Sequence, residues 1–387
     1  MAYRAAARLL GVIVALLVAA PARAQGHVAL GISVRDPAQP RQLARTVQLT
    51  GGRPPLVMWY QSWSEPLFWP AQIAAVKRLG TTPVVTWDPR TPAGQIPYRD
   101  VANGLHDAYL RDAAQAARGY GRPLYVRLGH EMNLILTLYR SDDPTATPRT
   151  FIAAWRHVVS VFRQAGATNV RWVWSPNVDC DGRCPFAAFY PGDAWVDWVA
   201  LDGYNAGTVV PGTRWTRLGA VFGPSYDALE RLTRKPMMIG ETSSSETGGS
   251  KASWILHGLL REVPERLPRV KAVIWFDRAK EQQWQIDSSP ESLRAFRTVA
   301  HSPLYDARSA VGAQRAKRML GPGGKASRRG HGRDLAVLAG VAGILVAGLV
   351  AVVSVWRSFV RRRRAWSRAA TPRAYESLET RERPGLP

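Results

Sequence analysis

The 387-residue chain has only two cysteines, Cys180 and Cys184. Two thiolates are too few for a structural zinc centre, which takes three or four protein ligands. Other signatures are missing as well. The pair His130-Glu131 begins like a zinc-protease helix, but the second histidine such a helix needs four residues after the first is replaced by Leu134, so that chemistry is excluded. No Gly-x-Ser-x-Gly turn is present for a serine hydrolase elbow. No Gly-rich phosphate fingerprint opens the first helix, which argues against an open dinucleotide-binding sheet. Acidic residues are scarce, 29 against 52 Lys and Arg, for a formal charge of +23. That excess is uneven: +3 over residues 1–24, +8 over 25–300 and +12 over the remainder. Most of it therefore flanks two apolar runs, where it orients a chain against a membrane, and no nucleic-acid partner is implied.

Those runs set the expected organisation. Arg4 and Arg8, the apolar stretch Leu9 to Ala20 and Ala22-Arg23-Ala24 have the layout of a secretory leader over residues 1–24. Leu335 to Trp356 holds no charged residue and is long enough to cross roughly 30 Å of hydrocarbon as a helix. Arg357 and Arg361 to Arg364 follow it, so residues 357–387 are expected to form a basic cytoplasmic tail, with residues 25–304 outside the cytoplasm. Residues 305–334, rich in Gly, Arg and Lys, read as a flexible linker. In that oxidising setting Cys180 and Cys184, in one short polar loop, are expected to form a disulfide.

Residues 25–304 alternate eight apolar, β-branched or aromatic strand patterns with helical ones. The strands centre on His27 to Val34, Leu56 to Tyr60, Thr82 to Trp87, Leu124 to Leu128, Val170 to Trp174, Trp198 to Leu201, Met237 to Ile239 and Ala272 to Phe276. Helical patterns include Ala71 to Leu79, Leu105 to Arg118, Thr150 to Gln164, Tyr226 to Thr233, Ala252 to Leu267 and Pro290 to Ala300. Eight such units predict an α/β fold, a (β/α)8 TIM barrel, whose chemistry sits where the strands end. Two glutamates occupy such ends: Glu131 after the fourth strand and Glu241 at the end of the seventh. Two carboxyl groups aimed at one bond from different strands are what glycoside hydrolysis requires.

Five segments lie in order on these strands: Gly129-His-Glu-Met-Asn133, Trp174-Ser-Pro-Asn177, Tyr190-Pro-Gly-Asp193 with Val196 to Asn205, Ile239-Gly-Glu-Thr242, and Val273-Ile-Trp-Phe-Asp277. Together they make residues 27–300 resemble glycoside hydrolase family 26, a β-mannanase-like family of the retaining barrel clan. The resemblance implies Glu131 as general acid and base and Glu241 as nucleophile, with the carboxyl groups about 5 to 5.5 Å apart. It also implies that His130 and Asn133 line the site, that Tyr204 hydrogen-bonds the nucleophile, and that Trp275 forms the floor under the sugar. Trp174 is expected to contact substrate, whereas Trp59, Trp63 and Trp87 suit a sugar face or the core equally. Asp88 and Asp202 could bind hydroxyl groups or satisfy loop backbone. Glu246, five residues past Glu241, reads as a residue of a solvated loop.

The implied substrate is β-mannan first and mixed-linkage β-glucan next. Mannanases of the family follow His-Glu-Met-Asn with a Gly and Trp-rich loop, whereas this chain continues Leu134-Ile-Leu-Thr-Leu-Tyr139. The expected partners are thus a polysaccharide and the membrane, with no cofactor, metal or nucleic acid; oligomeric state has no signature in the sequence. The contrasting expectation is a catalytically inactive barrel that binds a surface polysaccharide, since a fold alone does not establish activity.

Overall fold

A computed structural model describes residues 27–67, 70–135, 143, 145–179, 182–210, 212–280 and 282–305. Eight strands carry the architecture: β1 (Ala29–Ser33), β2 (Leu56–Ser62), β3 (Thr82–Asp88), β4 (Leu124–Leu128), β5 (Val170–Trp174), β6 (Trp198–Asn205), β7 (Met237–Ser244) and β8 (Val270–Trp275). They close in sequence order into an all-parallel barrel, β8 pairing with β1 through Ala29 opposite Ala272 and Ile32 opposite Trp275. The expected TIM barrel is therefore present. The leader, most of the linker, the apolar span and the tail lie outside the described residues, as does Cys180. Among the described residues no helix is long and apolar enough to cross a membrane.

Among the described residues the helices around the strands include α1 (Pro40–Thr50), α2 (Pro70–Leu79), α3 (Asp107–Tyr120), α4 (Pro148–Gln164), α5 (Leu218–Leu232), α6 beginning at Lys251–His257, and α7 (Pro290–Ala300). In α4 the buried residues Phe151, Ala154, Trp155, Val158, Val159 and Phe162 recur at helical spacing, which gives one apolar stripe to lay on the barrel. Thr147 starts that helix by accepting from Thr150 N while the Thr150 hydroxyl accepts from Thr147 N, satisfying end groups that the helix cannot pair itself. The connection from β5 to β6 has two short 3-10 turns, Ala187–Phe189 and Asp193–Trp195, in place of a full helix.

Strand residues alternate between two layers because successive side chains point to opposite faces. Leu56, Met58, Val84, Val173, Ala200, Met238, Ala272 and Ile274 pack together inside the barrel. Their neighbours Val57, Trp59, Val85, Trp87, Trp172, Trp174, Val273 and Trp275 join the helices in the larger outer core. At the N-terminal face the Val28 amide donates to the Leu304 carbonyl at 2.9 Å, so the barrel's two ends meet on the side away from the strand C-termini.

Candidate active site

Following the same alternation up each strand fixes which side chains emerge at the C-terminal mouth. Beyond Met58 comes Tyr60, beyond Val84 come Thr86 and Asp88, beyond Val173 comes Ser175, beyond Ala200 come Asp202 and Tyr204, and beyond Ile274 comes Phe276. Glu241 would face outward by this count, since Met238 faces in. A register shift corrects it: Leu201 pairs with Ile239, but Asp202 pairs with Glu241. The extra residue in β7 is Gly240, where an added Cβ would stand 2.5 Å from Asp202 Oδ1 and 2.9 Å from Ser175 Oγ. A bulge of this kind re-aims a side chain at the cost of one unpaired residue, and only glycine leaves room for it.

Arg127 of β4 is wholly buried and joins the strand ends electrically. Its Nη1 donates to Glu241 Oε1 at 2.8 Å and to Thr86 Oγ1 at 2.8 Å, and lies 2.9 Å from Met58 Sδ. Its Nη2 donates to Asp202 and to Ser175 Oγ, the latter at 3.0 Å. Burial alone would raise the Glu241 carboxyl. Arg127, His130 and hydrogen bonds from Tyr204 and Tyr60 instead hold it below the ordinary range; the Tyr204 hydroxyl donates to Glu241 Oε2 at 2.5 Å. Asp202 moves the other way. Burial raises it well above the ordinary carboxylate range, with Arg127 opposing and Glu241 reinforcing. Arg127 thus sits between the two carboxyl groups, with Ser175 Oγ also donating to Asp202 Oδ1 at 3.1 Å.

Glu131 enters from the loop after β4. Its φ of 50° makes it the non-glycine residue with positive φ among the described residues, a conformation that costs of order 1 kcal/mol or more and persists where the surroundings enforce it. The enforcing contacts are plain: Glu131 N donates to Ser175 O at 2.8 Å, and Asn177 Nδ2 donates to Glu131 Oε1 at 2.7 Å. Burial raises the Glu131 carboxyl above its usual value; His130 opposes and the negative charge of Glu241 adds to the rise. The adjacent His130 sits with Nδ1 2.9 Å from Asp88 Oδ1 and its ring 5.6 Å from that of Tyr60. Burial disfavours its charge, but Asp88 prevails and raises it to about 10.

A mouth with one carboxyl held down, a second held up and a buried arginine between strands meets the comparisons with known proteins on the same segments. The profile described as Glycosyl hydrolase family 26 matches residues 100–254. Endoglucanase H of Acetivibrio thermocellus is 36% identical over 255 residues, covering 65% of this chain and 28% of that protein. The resemblance to glycosyl hydrolase family 26 is thereby shown over these residues. Beta-1,3-xylanase TXYA of a Vibrio species is 26% identical over 151 residues, 38% of this chain and 28% of that one, so the chain spans under a third of the length of both these relatives. Among solved structures, the catalytic domain of the Bacillus sp. JAMB-750 GH26 endo-beta-1,4-mannanase is 17% identical with a TM-score of 0.56, over 72% of this chain and 87% of that one. Bacillus subtilis mannanase man26 gives 17% and 0.54, over 74% and 89%. At these identities the structures speak for the fold.

Within this barrel some expected site residues stand elsewhere. Trp174 and Trp275 are fully buried and face the helical layer, not the mouth. Trp174 packs 5.0 Å from Tyr190, and Trp275 lies 6.1 Å from Trp254 and 5.6 Å from Phe296. An indole buried this way removes 150 to 250 Å² from water, at most roughly 4 to 6 kcal/mol at about 25 cal/mol/Å², which turning it toward a sugar would forfeit. The aromatic faces at the mouth are Phe276, 5.8 Å from Tyr204, and Trp284, 5.2 Å from Tyr204. Trp59, Trp63 and Trp87 are core residues, the last two stacked at 4.9 Å.

Asn133 is also buried and does not line the mouth. Its Nδ2 donates to the carbonyls of Asn177 and Cys184, at 3.0 and 2.8 Å, and its Oδ1 accepts from Asn177 N at 2.9 Å. It thereby fixes the loop that presents Asn177 to Glu131. Glu246 is no solvated loop residue: its Oε1 accepts from Ser288, Ser289 and Ser292 at 2.6, 2.9 and 2.9 Å. Cys184 is disulfide-bonded. Arg127, Tyr60, Asn177, Phe276 and Trp284 were not singled out from sequence. An arginine inside the apolar run Leu124 to Leu128 was a usable signal, since a charge in a barrel strand needs a buried counter-charge.

Proposed function

We propose that this chain is a retaining glycoside hydrolase acting on β-linked polysaccharide. The observation that carries the reading is the opposite displacement of two carboxyl groups at one barrel mouth, which separates acid from nucleophile. Glu241, kept ionised by Arg127 and Tyr204, attacks the anomeric carbon as the glycosidic C–O bond breaks. Glu131, kept protonated by its surroundings, gives its proton to the departing sugar oxygen. The Glu131 carboxylate then takes a proton from water, whose oxygen displaces Glu241 from the anomeric carbon. Two inversions return the original configuration. Tyr204 and Tyr60 hold the Glu241 oxygens in line, and Phe276 offers a flat apolar face to the C–H side of the reacting sugar.

β-Mannan and mixed-linkage β-glucan are the substrates to separate. The family's mannanases favour the first; the name of the 36% identical relative and the departure at Leu134 to Tyr139 favour the second. Sequence alone supports an enzyme anchored by Leu335 to Trp356 with its barrel outside the cytoplasm. Reducing-sugar release by the full chain on β-mannan, glucomannan, mixed-linkage β-glucan and xylan, beside Glu241→Ala, tests the proposal. Cleavage of one polymer, reduced at least about a thousandfold in the variant, is the expected result. No cleavage of any polymer, with equal polymer binding by both proteins, would establish the inactive binding barrel instead.

A further inference from the structure

Away from the reacting groups, the segment 283–288 after β8 is held more firmly than a surface loop requires. Lys251, the first residue of α6, is completely buried, and its Nζ donates to Gln283 O at 2.9 Å, Gln285 O at 2.7 Å and Ser288 Oγ at 2.9 Å. Ser288 in turn donates to Glu246. Between the two gripped carbonyls lies Trp284, whose own carbonyl accepts from Ser243 Oγ at 2.7 Å and Trp275 Nε1 at 2.9 Å.

A lysine is a poor choice here on stability grounds alone. It is desolvated, and it stands at the positive end of a helix dipole. Burial lowers its ammonium to about 8 against the pull of Glu246, Asp277 and Asp287. What the arrangement secures is the place of Trp284, packed 5.2 Å from the Tyr204 ring, and Tyr204 is the donor to Glu241.

We propose that Lys251 is a positioning residue for the nucleophile, acting through the clamped 283–288 segment, Trp284 and Tyr204. The proposal rests on the glycosidase reading above, in which Glu241 attacks the sugar. A clamp that only holds the protein together would lower stability while leaving the chemistry of the folded fraction alone. A clamp that aims Tyr204 works on kcat, because small misplacements of a reacting group cost rate while leaving remote substrate contacts in place.

The test is a double-mutant cycle on the full chain, with Lys251→Met, Tyr204→Phe and the double variant assayed on the polymer the wild type cleaves, after thermal unfolding has set the folded fraction. The expected result is a fall in kcat of about tenfold for Lys251→Met with KM within about twofold, and a double variant no slower than Tyr204→Phe alone. If Lys251→Met does not fold, Trp284→Leu takes its place in the same cycle, read by its fall in kcat and by a double variant no slower than Tyr204→Phe alone. An active wild type matched in kcat by the position-251 or position-284 variant, or losses that multiply in the double variant, would overturn the proposal while leaving the glycosidase reading intact. A wild type inactive on every polymer would overturn both.

Discussion

At the scale of the residue, the site works by giving two chemically identical carboxyl groups different surroundings. Glu241 has a buried guanidinium and two phenols; Glu131 has burial, one amide donor and a neighbouring negative charge. Under the proposed mechanism Glu241 must be ionised, so activity falls as the pH drops through its lowered value. Glu131 must be protonated, so activity also falls as the pH rises through its raised one. Asn177 donates to the ionised form of Glu131 and so opposes the rise. Replacing it by Ala should move the alkaline limb of the kcat/KM profile to higher pH and leave the acid limb in place. An unmoved alkaline limb would mean that a group other than Glu131 sets it. The glutamates were readable because a carboxyl at a strand end is conspicuous. Arg127 was passed over because one basic residue among 52 is not.

At the scale of the element, the decisive irregularity is the bulge in β7. Gly240→Ala would drive a methyl group into Asp202 and Ser175, an overpacking that should cost about 1 to 3 kcal/mol and displace both Glu241 and the Arg127 network. Chemical denaturation and activity measured together check this; a variant with wild-type stability and rate would show that the bulge tolerates a side chain. This element also marks where sequence reading stopped. Met237 to Ile239 was legible as strand from its apolar residues, but the strand runs on to Ser244 through Gly-Glu-Thr-Ser-Ser, polar yet buried because its side chains bond other elements: Ser243 Oγ donates to Trp284 O and Ser244 Oγ accepts from Asn205 Nδ2. β6 likewise continues past Leu201 to Asn205. The same period of two that defines a strand places Trp174 and Trp275 outward. Motif likeness put them in the site because it ignores which face a residue occupies. In α5, Pro224 hid a helix that begins at Leu218, eight residues ahead of its readable apolar pattern at Tyr226.

At the scale of the whole molecule, eight strand patterns separated by helical ones sufficed to reveal the barrel, because each unit had one way to bury its apolar face. The mouth was less legible, since it is assembled from residues as distant as Tyr60 and Phe276, and no local pattern encodes their meeting. The barrel's two ends meet at the opposite face, Val28 against Leu304. Joining residues 27 and 305 by a short Gly-Ser linker, and opening the chain within the loop at residue 122 on that same face, should give a permuted barrel that still unfolds cooperatively and keeps its activity. Loss of the cooperative transition would mean that closure depends on more than this seam. That seam also governs traffic. A module joined directly at residue 27 or residue 305 would depart from the face opposite the mouth, so both points of attachment leave the strand C-termini unobstructed.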